Sequence, residues 1–254
     1  MRLLFYCRRI SMMERKIEGK ALVFTDLHLG LKSASKSRLA VCIQVIKDIV
    51  TYLKAEDIKN VFFLGDWNHV RVSTENNVLN VSYKLMQALA KHAHVYCILG
   101  NHDIYMKNTT DISSMVIFKD IPNVEIISKT ELLDFNGKKA AFVPWLGELS
   151  QFEPESLDLM FGHFDVSHKY LVRSYIEDHS AKEKASKELT ESLENDWLLK
   201  DALLPKKKQN AGDYVGNFVD VVSKDGLIMS GHIHGRREFL SKKRQFILVG
   251  SPYQ

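Results

Sequence analysis

Five short apolar runs along this chain each stop at a polar residue able to hold a cation, and that repetition constrains the fold more than any other feature. The runs are Ala21-Leu-Val-Phe-Thr25, Val61-Phe-Phe-Leu64, Val95-Tyr-Cys-Ile-Leu99, Leu157-Asp-Leu-Met-Phe161 and Leu227-Ile-Met-Ser230. Short segments that are apolar at alternate and intervening positions alike suit strands buried on both faces. They lead into Asp26-Leu-His28, Gly65-Asp66, Gly100-Asn101-His102-Asp103, Gly162-His163 and Gly231-His232-Ile-His234. In open α/β sheets ligands gather beyond the carboxyl ends of the strands. The pattern therefore places Asp26, Asp66, Asn101, His163 and His232 at one edge of one sheet.

Helical patterns at about 36–54 and 77–92 separate the first three runs. That is a βαβαβ unit, with parallel strands and right-handed crossovers. Beyond the third motif come short strands at Val124–Ser128, Glu131–Phe135 and Lys139–Val143, with Asn136-Gly137 as a hairpin turn. Phe239–Leu240 and Gln245–Val249 form a second hairpin around Ser241-Lys-Lys-Arg244. A parallel half followed by hairpins fits an α/β fold with two facing mixed sheets better than a doubly wound one. The expected organisation is an N-terminal extension over 1–20 and one domain over 21–254, with a charged helical insert at about 168–210. Within the insert, residues 177–196 carry seven acidic and three basic side chains. Leu189, Leu193, Trp197 and Leu198 nevertheless recur at helical spacing, which gives one apolar face; packing on the body is favoured over a partner.

The residue types point to two divalent metals. Imidazole suits Mn, Fe, Ni and Zn, while carboxylate and amide oxygens suit Mn²⁺ and Mg²⁺. A set without cysteine argues against a structural zinc site. Two ions roughly 3.5–4 Å apart can clamp a phosphoryl group and lower the pKa of a water nucleophile. Asp66, flanked by small Gly65, is the expected bridging carboxylate. Asp26-Leu-His28 reads as a chelating turn, and His232-Ile-His234 repeats its spacing. Asn101 offers a neutral oxygen, which leaves His102 free to protonate the leaving oxygen. Asp103 is expected to bond one ring nitrogen of His102 and fix its tautomer.

These motifs, in this order, resemble the calcineurin-like metallophosphoesterase family from about Ala21 to the end of the chain. The resemblance implies two mixed β-sheets sandwiched between helices, with one metal on Asp26, His28 and His234, the other on Asn101, His163 and His232, and Asp66 between them. Asp26-Leu-His28-Leu-Gly30, Asp66-Trp-Asn-His69, the stretch Gly100–Asn108 and Gly250-Ser-Pro-Tyr-Gln254 are similar to the SbcD/Mre-type DNA-repair nucleases, especially phage members. That branch implies a Mn²⁺-dependent exo- or endonuclease acting on DNA, with His69 orienting the phosphodiester; Mg²⁺, Fe and Zn are alternatives as metal. It also implies a homodimer and an SbcC-like ABC-type ATPase partner with a coiled coil. Members continue past Gly-Ser-Pro-Tyr-Gln into a DNA-contacting capping domain and an ATPase-binding segment, neither of which follows Gln254. The natural protein is therefore expected to be longer, or a separate polypeptide to complete the DNA surface. The 68 positions between His163 and His232 are a further departure.

Composition narrows the alternatives. The net charge is +4, and residues 1–20 alone carry six basic and two acidic side chains, so the remainder is formally neutral. DNA binding must then rest on local patches. Arg236-Arg237 stands beside a metal motif, whereas Lys206-Lys-Lys208 and Lys242-Lys-Arg244 read as solvated turns. No apolar run approaches the ~18–20 residues of a membrane span, and no signal peptide is evident, so a cytoplasmic location is the expectation. Three cysteines without motif spacing offer no disulfide framework; Cys42 and Cys97 read as small buried hydrophobes. His92, His94, His168 and His179 read as structural or surface residues, and Trp67 as packing beneath Asp66. Trp145 stays open, as does the choice for Tyr105, Lys107 and Asn108 between lining a cleft and starting a helix. Two other functions remain: a small-molecule phosphomonoesterase or phosphodiesterase on the same site, and a catalytically silent scaffold.

Overall fold

The computed structural model describes residues 15–31, 35–164, 220–241 and 244–253. Among these residues eleven strands form two sheets. The four-stranded sheet runs β2 (Ala21–Phe24), β3 (Asn60–Phe63), β4 (His94–Ile98) and β5 (Val124–Ile127), every pair parallel. Helix α1 (Lys36–Ala55) connects β2 to β3, and α2 (Asn76–Ala90) connects β3 to β4. The other sheet has seven strands in the order β1 (Lys16–Ile17), β6 (Glu131–Phe135), β7 (Lys138–Val143), β8 (Leu157–Gly162), β9 (Val222–Ser230), β11 (Arg244–Leu248) and β10 (Arg237–Ser241). Its β6–β7 and β10–β11 pairs are antiparallel and the rest parallel. The fold is thus an α/β sandwich, with one wholly parallel sheet where two mixed ones were expected.

Alternation along each strand assigns its side chains to two cores. In β3 and β4, Val61, Phe63, Val95 and Cys97 face α1, α2 and the 3-10 helix Ser114–Phe118. Phe62, Tyr96 and Ile98 face the other sheet, meeting Ala140, Phe142, Leu159 and Phe161. Phe62 lies at the centre of this inter-sheet layer, with ring centroids 4.9 Å from Phe142, 5.0 Å from Phe161 and 5.2 Å from Phe135 at edge-on angles. Such contacts add to area burial and fix the spacing of the sheets.

The structure corrects the expectations for the N-terminal extension and Arg244 and decides one that the sequence leaves open. The N-terminal extension does not end outside the domain: Lys16–Ile17 pairs in parallel with β6, and Ile17 is buried. A two-residue strand has no periodicity to read, so only the partner strand reveals it. Residues Tyr105–Asn108 do not start a helix; an isolated bridge from Ile104 to Ser113 closes them into an exposed loop. Arg244 is buried rather than in a solvated turn, donating to the Val222 carbonyl and pairing with Glu155 at 3.4 Å. Arg236 pairs with Glu238 on the surface. His94 has a structural setting, stacked 4.5 Å from Tyr96. The insert at about 168–210, including His168, His179 and Lys206–Lys208, lies outside the described residues, as do Lys242 and Lys243. Among the described residues no helix is long and apolar enough to cross a membrane.

Because Phe62 is fully buried and touches four aromatic rings, Phe62→Ala should cost about 3–5 kcal/mol of stability. Urea unfolding followed by circular dichroism measures this, and a loss below about 1 kcal/mol would mean the layer repacks without strain.

Candidate metal centre

Both sheets end their parallel strands on the same side, and the polar motifs come from both. Asp26, Asp66 and Asn101 leave the four-stranded sheet, whereas His163, His232 and His234 leave β8 and β9 of the other. The single sheet edge expected from the sequence is therefore the seam of a sandwich. Backbone pairing continues past the strands: Asp26 N–H donates to Gly65 O (2.9 Å), His28 N–H to Asp66 O (3.0 Å) and Leu29 N–H to Trp67 O (2.9 Å). These bonds carry the register of β2 and β3 into the motifs. Across the seam, His163 Nδ1 donates to the Leu64 carbonyl at 2.6 Å.

The turns are left-handed where they present side chains. Asp26 (φ 56°), His28 (46°), Asp66 (62°) and His232 (76°) all have positive φ. Non-glycine residues in this region are uncommon and gather at functional sites. The close approach of the loops demands Gly100, where an added Cβ would lie 2.2 Å from Asp66 Oδ1 and 2.4 Å from Asp66 N.

Three groups of donors among the described residues are each compact enough to hold a metal ion: Asp26–His28–His234, Asp66–His163–His232 and His28–His69–His102. In the first, His28 Nε2 lies 2.9 Å from His234 Nε2 and 3.6 Å from Asp26 Oδ1. Asp66 Oδ2 lies 3.5 Å from His28 Nε2 on one side and 3.5 Å from His163 Nε2 on the other. Asn101 Oδ1 joins the second group at 3.0 Å from His163 Nε2 and 2.9 Å from His232 Nδ1. All seven residues expected as ligands thus come together. Atoms about 3 Å apart are spaced like adjacent vertices around an ion with bonds of about 2.1 Å.

Three features of this arrangement fit a cation. Asp26 Oδ1 is buried and has no hydrogen-bond partner among the described residues. The Leu64 carbonyl holds the proton of His163 on Nδ1, so in the neutral ring Nε2 turns a lone pair toward Asn101 Oδ1. Asn101 Oδ1 also faces Asp66 Oδ2 at 3.3 Å, an assembly of acceptors. Burial opposes a charge on His163, but the carboxylate of Asp66 outweighs it and lifts the pKa to about 9. Burial likewise opposes ionisation of Asp66, and His163 overcomes it, holding the carboxyl well below the usual range. The field that attracts a proton to this cluster attracts a metal equally, and the two compete for the same nitrogen.

Asp103 has a different position from the one expected. Its carboxylate accepts from the backbone N–H groups of Asp66 (2.8 Å), Gly100 (2.9 Å), Trp67 (3.0 Å) and Asn68 (3.4 Å), tying two loops together. It makes no hydrogen bond to the His102 ring, whose Nδ1 donates to the His69 carbonyl at 2.6 Å. Burial and the charge of Asp66 raise the pKa of Asp103. His69 Nδ1 lies 3.3 Å from His28 Nδ1. Burial, then the nearby His28 and His102, bring the His69 pKa down to about 4. The His69 and His102 rings stack at 5.1 Å.

Four residues at the centre had no role assigned to them from the sequence. Trp145, left open there, sets its ring 5.1 Å from that of His232. Arg71, five positions past Asp66, sets Nη2 3.0 Å from the Asn101 carboxamide. Ser251 Oγ and Tyr253 Oη each donate to the Asp26 carbonyl at 3.1 Å. The Arg38 guanidinium lies 3.6 Å over the Tyr253 ring, which gives the Gly-Ser-Pro-Tyr stretch a task in bracing the first motif. Trp67 is buried as expected, donating to Ser82 Oγ at 2.8 Å.

Residues 19–236 match the family model described as calcineurin-like phosphoesterase. Exonuclease subunit 1 of Enterobacteria phage T4 is 26% identical over 162 residues, which is 61% of this chain and 48% of that protein. The match thus spans about half the length of this curated relative. With the family model covering most of its length, the chain belongs to the calcineurin-like phosphoesterase family.

Proposed function

We propose that this chain is a metal-dependent DNA phosphodiesterase, an exo- or endonuclease of SbcD/Mre type that hydrolyses phosphodiester bonds with two divalent ions, Mn²⁺ in preference to Mg²⁺, Fe or Zn. Family membership supports a hydrolase of phosphoester bonds. The observation that carries the two-metal reading is Asp66 Oδ2, equidistant at 3.5 Å from a histidine of each donor group. In this reading Asp26, His28 and His234 would hold one ion and Asn101, His163 and His232 the other, with Asp66 placed to serve both. When bound, the ions would supply Lewis acidity and a low-pKa water. A nucleic-acid substrate is supported by the similarity to a phage exonuclease subunit, whose name also supports a partner subunit. The SbcC-like ATPase and a role in DNA repair or recombination belong to the same proposal.

The protein's own groups divide the remaining work. With Nε2 of His28 turned to the first donor group, its Nδ1–H donates to His69 Nδ1. Neutral His69 then carries its proton on Nε2 and can donate to a non-bridging phosphate oxygen. His102, with Nδ1–H held by the His69 carbonyl, keeps the Nε2 lone pair free to take up a second proton from solvent, and as the imidazolium it can pass that proton to the leaving oxygen. Asp103 acts as a positioning residue, because it holds the backbone on both sides of this pair.

Purified protein with Mn²⁺ should cleave labelled single- or double-stranded DNA and hydrolyse bis-p-nitrophenyl phosphate. His102→Ala should lower kcat by roughly 10²–10⁴-fold while keeping the Mn²⁺-induced rise in melting temperature. Hydrolysis of nucleotides or small esters without DNA cleavage would move the substrate to the small-molecule class. Undiminished turnover in the variant would remove His102 from the chemistry. Chelation should abolish hydrolysis and lower the melting temperature, by about 2.7 kcal/mol of lost stabilisation where the ion had stood at a hundredfold its Kd; an unchanged melting curve would argue against any metal at the cluster.

A further inference from the structure

Arg71 lies on the loop that follows His69, and the two-metal reading gives it no task. It is half-buried. Its only close polar neighbour among the described residues is the Asn101 carboxamide, 3.0 Å from Nη2; it forms no ion pair there.

The carboxamide has two settings, and they are not equivalent. With nitrogen inward it donates to Asp66 Oδ2, His163 Nε2 and His232 Nδ1, and its oxygen accepts from Arg71. With oxygen inward it faces the two imidazole nitrogens at 3.0 and 2.9 Å, which suits a cation among them. The nitrogen then faces Arg71, donor against donor. A cation in the second donor group selects the oxygen-inward setting, and in doing so removes the acceptor that Arg71 otherwise has. Two donors, an amide NH₂ and a guanidinium, are left side by side next to the loop of His69 and the residue before His102. Such a pair calls for an anion, and the guanidinium fork matches phosphate oxygens in shape and charge.

We infer that Arg71, together with Asn101 Nδ2, grips a non-bridging oxygen of the substrate phosphate, and that metal loading of the Asn101 group is what frees it to do so. This rests on the two-metal reading above and adds a phosphate contact to it. Coupling of this kind makes the phosphate bind well only once the metal is in place.

The test is calorimetric titration of inorganic phosphate into the protein with and without Mn²⁺, using wild type, Arg71→Gln and Arg71→Lys. Phosphate should bind the Mn²⁺-loaded wild type, and Arg71→Gln should weaken that binding about tenfold or more. Arg71→Lys should fall between the two, since it keeps the charge and loses the fork. The Mn²⁺-induced melting shift should be the same in all three proteins. Unchanged phosphate affinity in Arg71→Gln overturns the inference, as does loss of its Mn²⁺ shift, which would make Arg71 a prop for the metal cluster. A wild type that takes up no Mn²⁺ overturns the two-metal reading and this inference with it; the other failures leave that reading standing.

Discussion

Two carboxylates, Asp26 and Asp66, are buried side by side with fewer donors than their charge requires, and most of the site follows from that. Each is almost fully shielded from water, where an ionised carboxylate carries a desolvation penalty of several kcal/mol. Asp66 Oδ1 receives the His102 N–H at 2.7 Å and Asp26 Oδ2 the His232 N–H at 3.1 Å. Asp26 Oδ1 receives no hydrogen bond from the described residues. Positive charge has to balance this pair, and the imidazoles of His28, His163, His232 and His234 are arranged where they can share it or share a cation.

The scaffold spends its order on keeping those groups in place. Four backbone N–H groups close on Asp103, two loops extend the register of β2 and β3, and Ser251 and Tyr253 hold the Asp26 carbonyl from the far end of the chain. Beneath them the Phe62 aromatic layer fixes how far apart the sheets stand. Donors from opposite sheets meet at about 3 Å only because that spacing is set. A carboxylate that ties loops and one that faces a metal look alike as isolated residues, yet Asp103 and Asp66 differ in every contact.

Much of this was legible from the strand-then-ligand pattern. Apolar runs marked β2, β3, β4, β8 and the second half of β9, and the Asn136-Gly137 turn marked the β6–β7 hairpin. The seven expected donors converge because strand ends are where the backbone stops being committed to a ladder. What failed was non-local. Lys16–Ile17 becomes a strand only through β6. The role of Asp103 depends on which loop lies across from it, and Arg71 gains meaning only from its distance to Asn101. The sequence pattern does not distinguish the seam between two sheets from the edge of one, since no local signal tells which sheet a buried strand joins.

The central claim is a pair of ions sharing Asp66, and the most direct measurement is anomalous diffraction at the manganese edge from crystals soaked in Mn²⁺. This account expects two peaks roughly 3.5–4 Å apart, one among Asp26, His28 and His234, the other among Asn101, His163 and His232, with Asp66 touching both. A single peak, or two peaks that Asp66 does not join, would contradict it.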